Sequence, residues 1–387
     1  MASDSARPAR PPRRDFLPFS RPSLGEEEIC EVVECLRSGW ITSGPRVERF
    51  EQEFARRIGA PHAVAFSSGT AALHAAYWLL DLKPGDEVIC PSLTWPSTAT
   101  MARVLGARIV FADIDPETLQ IDPADVARRR TNRTRAVVAV HFAGAPADLD
   151  ALREAAGPGV ALVEDAAHAV GTEYRGLPVG ARPGLSVFSF HPIKNITTGE
   201  GGMLVTHDAD QARRARLFRF HGISRDAWKA YGAGAALRYD ALLPGFKYNL
   251  TDLAAGIGLR QLEKLDRFLS RRRAIAERYR EGLADLPGLT LPRDPSYPHR
   301  HARHLFPVLV ERRDRFLDRM RQENIGCGLH FEPVHRLTLY RSEAPSLPCA
   351  EAVGERIVSL PLFPEMSDGD VEDVIAAVRR TLRGDPP

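Results

Sequence analysis

The sequence predicts an α/β protein, with a mostly parallel sheet sandwiched by helices in a large domain and a smaller α+β C-terminal domain. Three observations carry that expectation. Short apolar runs rich in β-branched residues recur from residue 62 to residue 206, separated by helical patterns. A single long helical pattern from Thr251 to about residue 284 then breaks the alternation. The chain has 387 residues, 44% apolar and 26% charged, an ordinary globular composition. Its length fits roughly two to three domains.

The elements follow in order. Ser23 and Glu26 form a capping-box pattern, and Ile29, Val32, Val33 and Leu36 then share one helical face. The turn "SGWITSGP" leads to Pro45, which opens a second helix with Val47, Phe50, Phe54 and Ile58 on one face; Gly59 stops it. Strand "HAVAF" (62–66) feeds a helix over 70–81, and strand "EVIC" (87–90) a helix near 96–105. Further strands are "RIVFAD" (108–113), "AVVAVHF" (136–142), "VALVED" (160–165), "LSVFSF" (185–190) and "GMLVT" (202–206). Thr251 caps the long helix, with Leu253, Ile257, Leu262, Leu265 and Phe268 as its apolar positions. Beyond it come strand "HLFPVLV" (304–310), helix 312–324, the "IGCGLHF" segment and helix 368–382. The expected division is a disordered Arg/Pro-rich tail over 1–14, a large domain over 15–255, and a linking helix with the small domain over 256–387.

Charge and cysteine content exclude several classes. A net charge of +2 gives no basis for nucleic-acid binding. Five cysteines, with no C-x-x-C, fit a reducing compartment, and a cytoplasmic location is expected. "RRDFLPF" resembles a twin-arginine signal, but the charged stretch after it supplies no apolar segment. No apolar run approaches the ~18 residues of a membrane span.

Lysine usage is informative. Of 52 basic residues only Lys83, Lys194, Lys229, Lys247 and Lys264 are lysines. Lys83 sits in a turn, Lys229 in a polar stretch, and Lys264 is expected on the wet face of the long helix. Lys194 and Lys247 lie beside glycine-rich or capping segments. Only an amine, never a guanidinium, can lose its proton and act as a nucleophile.

In an open α/β sheet, ligands bind beyond the carboxyl ends of the strands. After "HAVAF", Ser68, Gly69 and Thr70 fall at a helix N-terminus, an ordinary cap or a phosphate site. After "EVIC", Trp95 is either a core residue or a ring to stack on a planar cofactor. Asp165 ends "VALVED", as a helix cap or as the partner of a protonated pyridine nitrogen. His168 is a satisfied core histidine or a donor to a phenolate oxygen. "LSVFSF" delivers Ser189 and then Lys194. Together these are an anion cup, a ring, a carboxylate and an amine, the contacts that pyridoxal 5′-phosphate requires.

The stretches "SSGTAAL", "PSLTW", "VEDAAHAVGT", "FSFHPIKNITTGEGG" and "KYNLTD" resemble the nucleotide-sugar aminotransferases of the DegT/DnrJ/StrS type, enzymes of the pyridoxal-phosphate fold type I. The resemblance runs from about Phe16 to the last helix. It implies Lys194 as the Schiff-base lysine, Asp165 at the pyridine nitrogen, His168 near the ring oxygen and Trp95 stacked on the ring. Gly69, Thr70 and Ser189 would hold the phosphate. Asn249 would reach the phosphate of a neighbouring subunit in a homodimer with shared sites. Trp40, Ile41 and Thr42 of "GWIT", and His330, would lie near the sugar nucleotide. "FLPFSRPSLG", "HFAGAPADLDALR", "GLHFEPVH" and "SLPLFPEMS" are most similar to members acting on UDP-4-keto-pentose with glutamate, in lipid A modification. Another nucleotide 4-keto-hexose is the alternative acceptor.

Rival readings have weaker support. "GAGAAL" (232–237) lacks the third glycine of a dinucleotide fingerprint and follows no strand. "HRHARH" (299–304) has no carboxylate to complete a metal set and is expected at a solvated edge, so no metal is assigned. A noncatalytic regulatory protein on this fold would tolerate loss of the lysine, and dehydratases on it carry histidine there; this chain keeps Lys194.

Overall fold

The computed structural model describes residues 11–223, 240–284, 286–343 and 345–383. Lys229 and "GAGAAL" lie outside those residues. Two helices precede the sheet, α1 (Glu26–Arg37) and α2 (Pro45–Ile58). Pro45 occupies the first turn of α2, and Gly59, at φ 80°, closes it in the left-handed conformation that glycine adopts without a Cβ penalty. The first half of the alternation is β1 (His62–Phe66), α3 (Gly69–Leu79), β2 (Glu87–Pro91), α4 (Pro96–Val104), β3 (Arg108–Ala112), α5 (Pro123–Arg129) and β4 (Thr134–Val140). It continues through α6 (Leu149–Ala156), β5 (Ala161–Asp165), the short β6 (Glu173–Tyr174) and β7 (Leu177–Pro178), then β8 (Leu185–Ser189), β9 (Gly202–Thr206) and α7 (Ala209–Phe218).

Seven of these strands form one sheet in the order β1-β9-β8-β5-β4-β2-β3. Strand β9 runs antiparallel to both neighbours, and the remaining pairs are parallel. Alternate residues feed opposite faces, as the pleat requires. Val64, Phe66, Val88, Val138, Val187 and Leu204 pack with Ala72 and Leu73 of α3. Ala63, Ala65, Phe188, Met203 and Val205 pack with Phe50 and Phe54 of α2. Both faces are therefore covered, and the expected α/β sandwich is observed.

Helix α8 (Asp252–Leu283) follows, and the Thr251 side chain accepts from Ala254 N–H at its start. A second, three-stranded sheet combines β10 (Leu289–Thr290), β12 (Phe306–Val310) and β13 (Ile357–Leu360), while β11 (His299–Arg300) pairs with β6. Helices α9 (Arg313–Gln322), α10 (Pro348–Arg356) and α11 (Asp368–Arg383) complete the described chain. Tyr279, Phe306, Val358, Val374 and Val378 share a core beside that sheet.

Several local expectations change. Ser23 does not cap α1; its hydroxyl donates to Glu365, and Gly25 is the cap, its N–H donating to Glu28 at 2.8 Å. The buried residues of α1 are Glu28, Glu31 and Cys35, whereas Ile29 and Leu36 are 53% and 54% exposed. Ion pairs explain the reversal: Arg46 and Arg260 hold Glu31, and Lys264 holds Glu28 at 2.7 Å. Lys264 is thus engaged between helices rather than solvated. His301 and His304 are buried, not edge residues. Of the expected tail, residues 1–10 are not described, and Arg13 pairs with Asp370 and Asp373.

Candidate active site

The carboxyl ends of β1, β2, β5 and β8 open on one cavity of about 300 Å³. Gly69, Thr70, Trp95, Asp165, His168, Ser189 and Lys194 all line it, as does His330. The sequence-predicted cofactor contacts thus meet in space, with one exception. Asn249 is not among the lining residues; its amide donates to the Ser43 hydroxyl at 2.7 Å, and that hydroxyl donates to the Leu250 carbonyl at 2.6 Å. Trp40, Ile41 and Thr42 also lie off the cavity of their own chain. Buried Asp252 accepts from Gly44 N–H at 2.8 Å and Val47 N–H at 3.0 Å, which fixes the "GWIT" turn beside Asn249.

Lys194 follows β8 in a loop whose turn is closed by its own N–H on the His191 carbonyl. Among the described residues no hydrogen bond or ion pair engages its amine. The half-buried side chain opens on the cavity, and desolvation lowers the amine pKa to about 8, partly opposed by Asp165. About a tenth is consequently unprotonated at pH 7, far more than for an ordinary lysine. Lys247, by contrast, is exposed with its ammonium 4.2 Å from the centre of the Phe220 ring.

Asp165 is 5% exposed and accepts from the Thr98 hydroxyl at 2.7 Å and Ala167 N–H at 3.2 Å. Burial pushes its carboxyl up, while those hydrogen bonds and the charge of Lys194 pull it down. His168 accepts Ala143 N–H on Nδ1 at 3.3 Å, so in the neutral ring Nε2 carries the hydrogen. Burial, then the charge of Lys194, holds this imidazole well below the usual histidine range, hence neutral. Trp95 stands just before α4, 61% exposed, and is no core residue. His330 hydrogen-bonds Ser359 Oγ through Nδ1 at 3.0 Å, and burial lowers its pKa to about 4.

The N-terminus of α3 lies on the same cavity. Ser68 Oγ already accepts from Ala71 N–H, and Gly69 and Thr70 follow it at the mouth of the helix. A Cβ on Gly69 would stand 3.0 Å from Ser189 Cβ, so glycine keeps that wall open. Sequence reasoning missed three neighbours. Phe331 packs at 24° to the His168 ring, and His304 lies 4.4 Å from it between centroids. Thr98 sits one turn beyond Trp95. The i, i+3 spacing from Trp95 could have pointed to Thr98, but nothing local marks His304.

An amine and helix-end amides without a partner among the described residues, a buried carboxylate and a neutral imidazole fit pyridoxal 5′-phosphate group by group. Among the described residues no cluster of three or more His, Cys, Asp or Glu could hold a metal ion. No helix among them is long and apolar enough to cross a membrane.

Comparisons with known proteins find a family and solved structures to which nearly the whole chain is similar. Residues 22–379 match the DegT/DnrJ/EryC1/StrS aminotransferase family. The aminotransferase TlmJ from Streptoalloteichus hindustanus is 36% identical, with TM-score 0.89 over 95% of this chain and 99% of that one. The PLP-form of the putative sugar aminotransferase Spr1654 from Streptococcus pneumoniae is 30% identical, with TM-score 0.88 and coverage of 95% and 99%. Helicobacter pylori PseC, an aminotransferase involved in the biosynthesis of pseudoaminic acid, is 27% identical, with TM-score 0.87 and coverage of 96% and 100%.

Proposed function

The chain belongs to the DegT/DnrJ/EryC1/StrS aminotransferase family, and from that premise we propose that it aminates a nucleotide-linked 4-ketosugar with glutamate as donor. The enzyme is a sugar aminotransferase of the nucleotide-sugar type, and its cofactor is pyridoxal 5′-phosphate. The observation that carries the proposal is an amine, Lys194, without a hydrogen-bond or ion-pair partner among the described residues, on the same cavity as the buried carboxylate Asp165.

When bound, the cofactor supplies an aldehyde carbon that takes and returns the amino group, and a ring that withdraws electrons from it. The residues of the chain divide the remaining work. Gly69 and Thr70 at the α3 N-terminus, with the Ser189 hydroxyl, hold the phosphate. Asp165 holds a proton at the ring nitrogen. His168 would donate from Nε2 to the ring oxygen of the bound cofactor, and Trp95 would lie against its ring. Lys194, with its pKa near 8, is the nucleophile that anchors the cofactor and then the base and acid at the substrate carbon.

The finer reading is that the acceptor is UDP-4-keto-pentose, giving UDP-4-amino-4-deoxy-L-arabinose and 2-oxoglutarate, in lipid A modification in the cytoplasm. A pentose lacks the hexose branch, and a close pocket rejects added bulk. Measuring kcat/KM for UDP-4-keto-pentose against UDP- and dTDP-4-keto-hexoses, with glutamate throughout, tests it. Preference for the pentose supports the reading; preference for a hexose replaces the acceptor and the pathway.

The proposed working unit is a homodimer with shared sites. Support comes from the outward apolar residues Ile29, Leu36, Trp40 and Ile41, which a second copy would cover. Asn249 and "GWIT", tied together through Ser43 and Asp252, would then serve the neighbouring site. Residues 15–255 would form the cofactor-binding domain and residues 256–387 the linking helix and small domain.

A further inference from the structure

Thr98 lies fully buried in the first turn of α4, and its hydroxyl touches two partners. Asp165 Oδ2 is 2.7 Å away and Thr94 Oγ1 is 2.9 Å away. A hydroxyl has one hydrogen and an ionised carboxylate has none. Thr98 therefore donates to Asp165, and Thr94 donates to Thr98, so the chain of hydroxyls has one direction. A threonine inside a helix ordinarily bonds the carbonyl four residues back. Its neighbour Thr100 does this, donating to Pro96 at 2.8 Å; Thr98 does not. The backbone of the same residue secures the loop. Thr98 N–H donates to the Trp95 carbonyl at 3.1 Å, and the Tyr77 hydroxyl donates to the Thr98 carbonyl at 2.7 Å.

We propose that Thr98 is a positioning residue that couples the Trp95 loop to Asp165 and, through its hydroxyl, keeps the shared proton on the cofactor's ring nitrogen. The proposal rests on the assignment of Asp165 to that nitrogen. Carboxylate and pyridine nitrogen compete for one proton. Burial alone makes Asp165 a stronger base, and each donated hydrogen bond makes it a weaker one. Without the Thr98 hydroxyl, the Ala167 N–H is the remaining hydrogen-bond donor among the described residues. The proton then moves toward the carboxylate, and the ring withdraws fewer electrons from the reacting carbon.

Thr98→Val preserves shape and removes the hydroxyl. Holoenzyme loaded with ring-¹⁵N pyridoxal phosphate reports the proton directly through the nitrogen chemical shift. The expected result is a protonated-range shift in the native enzyme and Thr98→Ser, displaced toward the unprotonated range in Thr98→Val. Turnover with glutamate in Thr98→Val falls by about tenfold, the scale of one charge-assisted hydrogen bond. Asp165→Asn separates the two layers of the argument. A native shift in Asp165→Asn overturns the site assignment itself. A changed shift there, with a native shift in folded Thr98→Val, overturns the relay alone. If Thr98→Val fails to fold, Thr94→Val carries the test by removing the donor to Thr98, and an unmoved ring nitrogen in it overturns the proposal.

Discussion

Replacing Lys194 by methionine should stabilise the cofactor-free enzyme while abolishing its activity. Methionine keeps an unbranched stem of similar length and removes the charge. The cavity lowers the amine from its ordinary 10.5 to about 8, chiefly by desolvation. That gap corresponds to about 3 kcal/mol of disfavoured ammonium at pH 7. That net figure already includes the attraction between the ammonium and Asp165, and solvent screening at the half-buried side chain brings the expected gain to about 1–3 kcal/mol. The sign follows from proton counting. Between about pH 8 and pH 10.5 the unfolded chain retains a proton at this position that the folded chain has released. Raising the pH across that window therefore stabilises the native enzyme, and the advantage of the variant shrinks. Urea denaturation of both cofactor-free proteins near pH 7, 9 and 10.5 measures the difference. A gain at pH 7 that fades by about pH 10.5 is expected. A loss at pH 7, or a gain independent of pH, would refute the claim that this amine is held desolvated.

Asp165→Asn should fold yet lose about 100-fold or more in turnover, because a charge-assisted contact becomes a neutral one; steady-state kinetics on cofactor-saturated enzyme checks this. Near-normal turnover would reduce Asp165 to a structural cap. Mixing Lys194→Ala with Asn249→Ala subunits should restore about a quarter of native activity after complete exchange, since half the dimers then hold one intact site of two. Exchange verified by mass spectrometry without recovery would exclude sharing across subunits. His330, with a pKa of about 4, is neutral across pH 5–9, so His330→Gln should lower kcat/KM for the ketosugar by about tenfold without altering the pH profile. An inflection near pH 6.5 that disappears in the variant would contradict that.

The sheet was legible because each of its strands is an apolar run. "GMLVT" matches β9 residue for residue, and Gly59 ends α2 as its position implies. The boundaries drifted where polar pairing takes over. Strand β4 starts at Thr134, two residues before the apolar run, because Thr134 sits opposite Glu87 on β2. It ends before His141 and Phe142, which turn into a short 3-10 segment. The α1 helix forms as expected but buries the opposite face, because apolar periodicity assumes an apolar partner, whereas Arg46, Arg260 and Lys264 lie opposite it and draw its glutamates inward. At the site, Lys194, Asp165, His168 and Trp95 could be read because each ends or follows a strand at the same sheet edge. His304 could not. It comes from a loop more than a hundred residues away in sequence and meets Asn195 Oδ1 at 3.2 Å only in the folded chain.

The central claim is that Lys194 is the amine that holds the cofactor of a sugar aminotransferase. Reducing the holoenzyme with borohydride makes that link permanent, and peptide mapping by mass spectrometry then reads the modified position. The cofactor is expected on the peptide containing Lys194, in stoichiometric amount and absent from Lys194→Ala. Attachment at Lys247, the other lysine beside a family motif, would contradict the account.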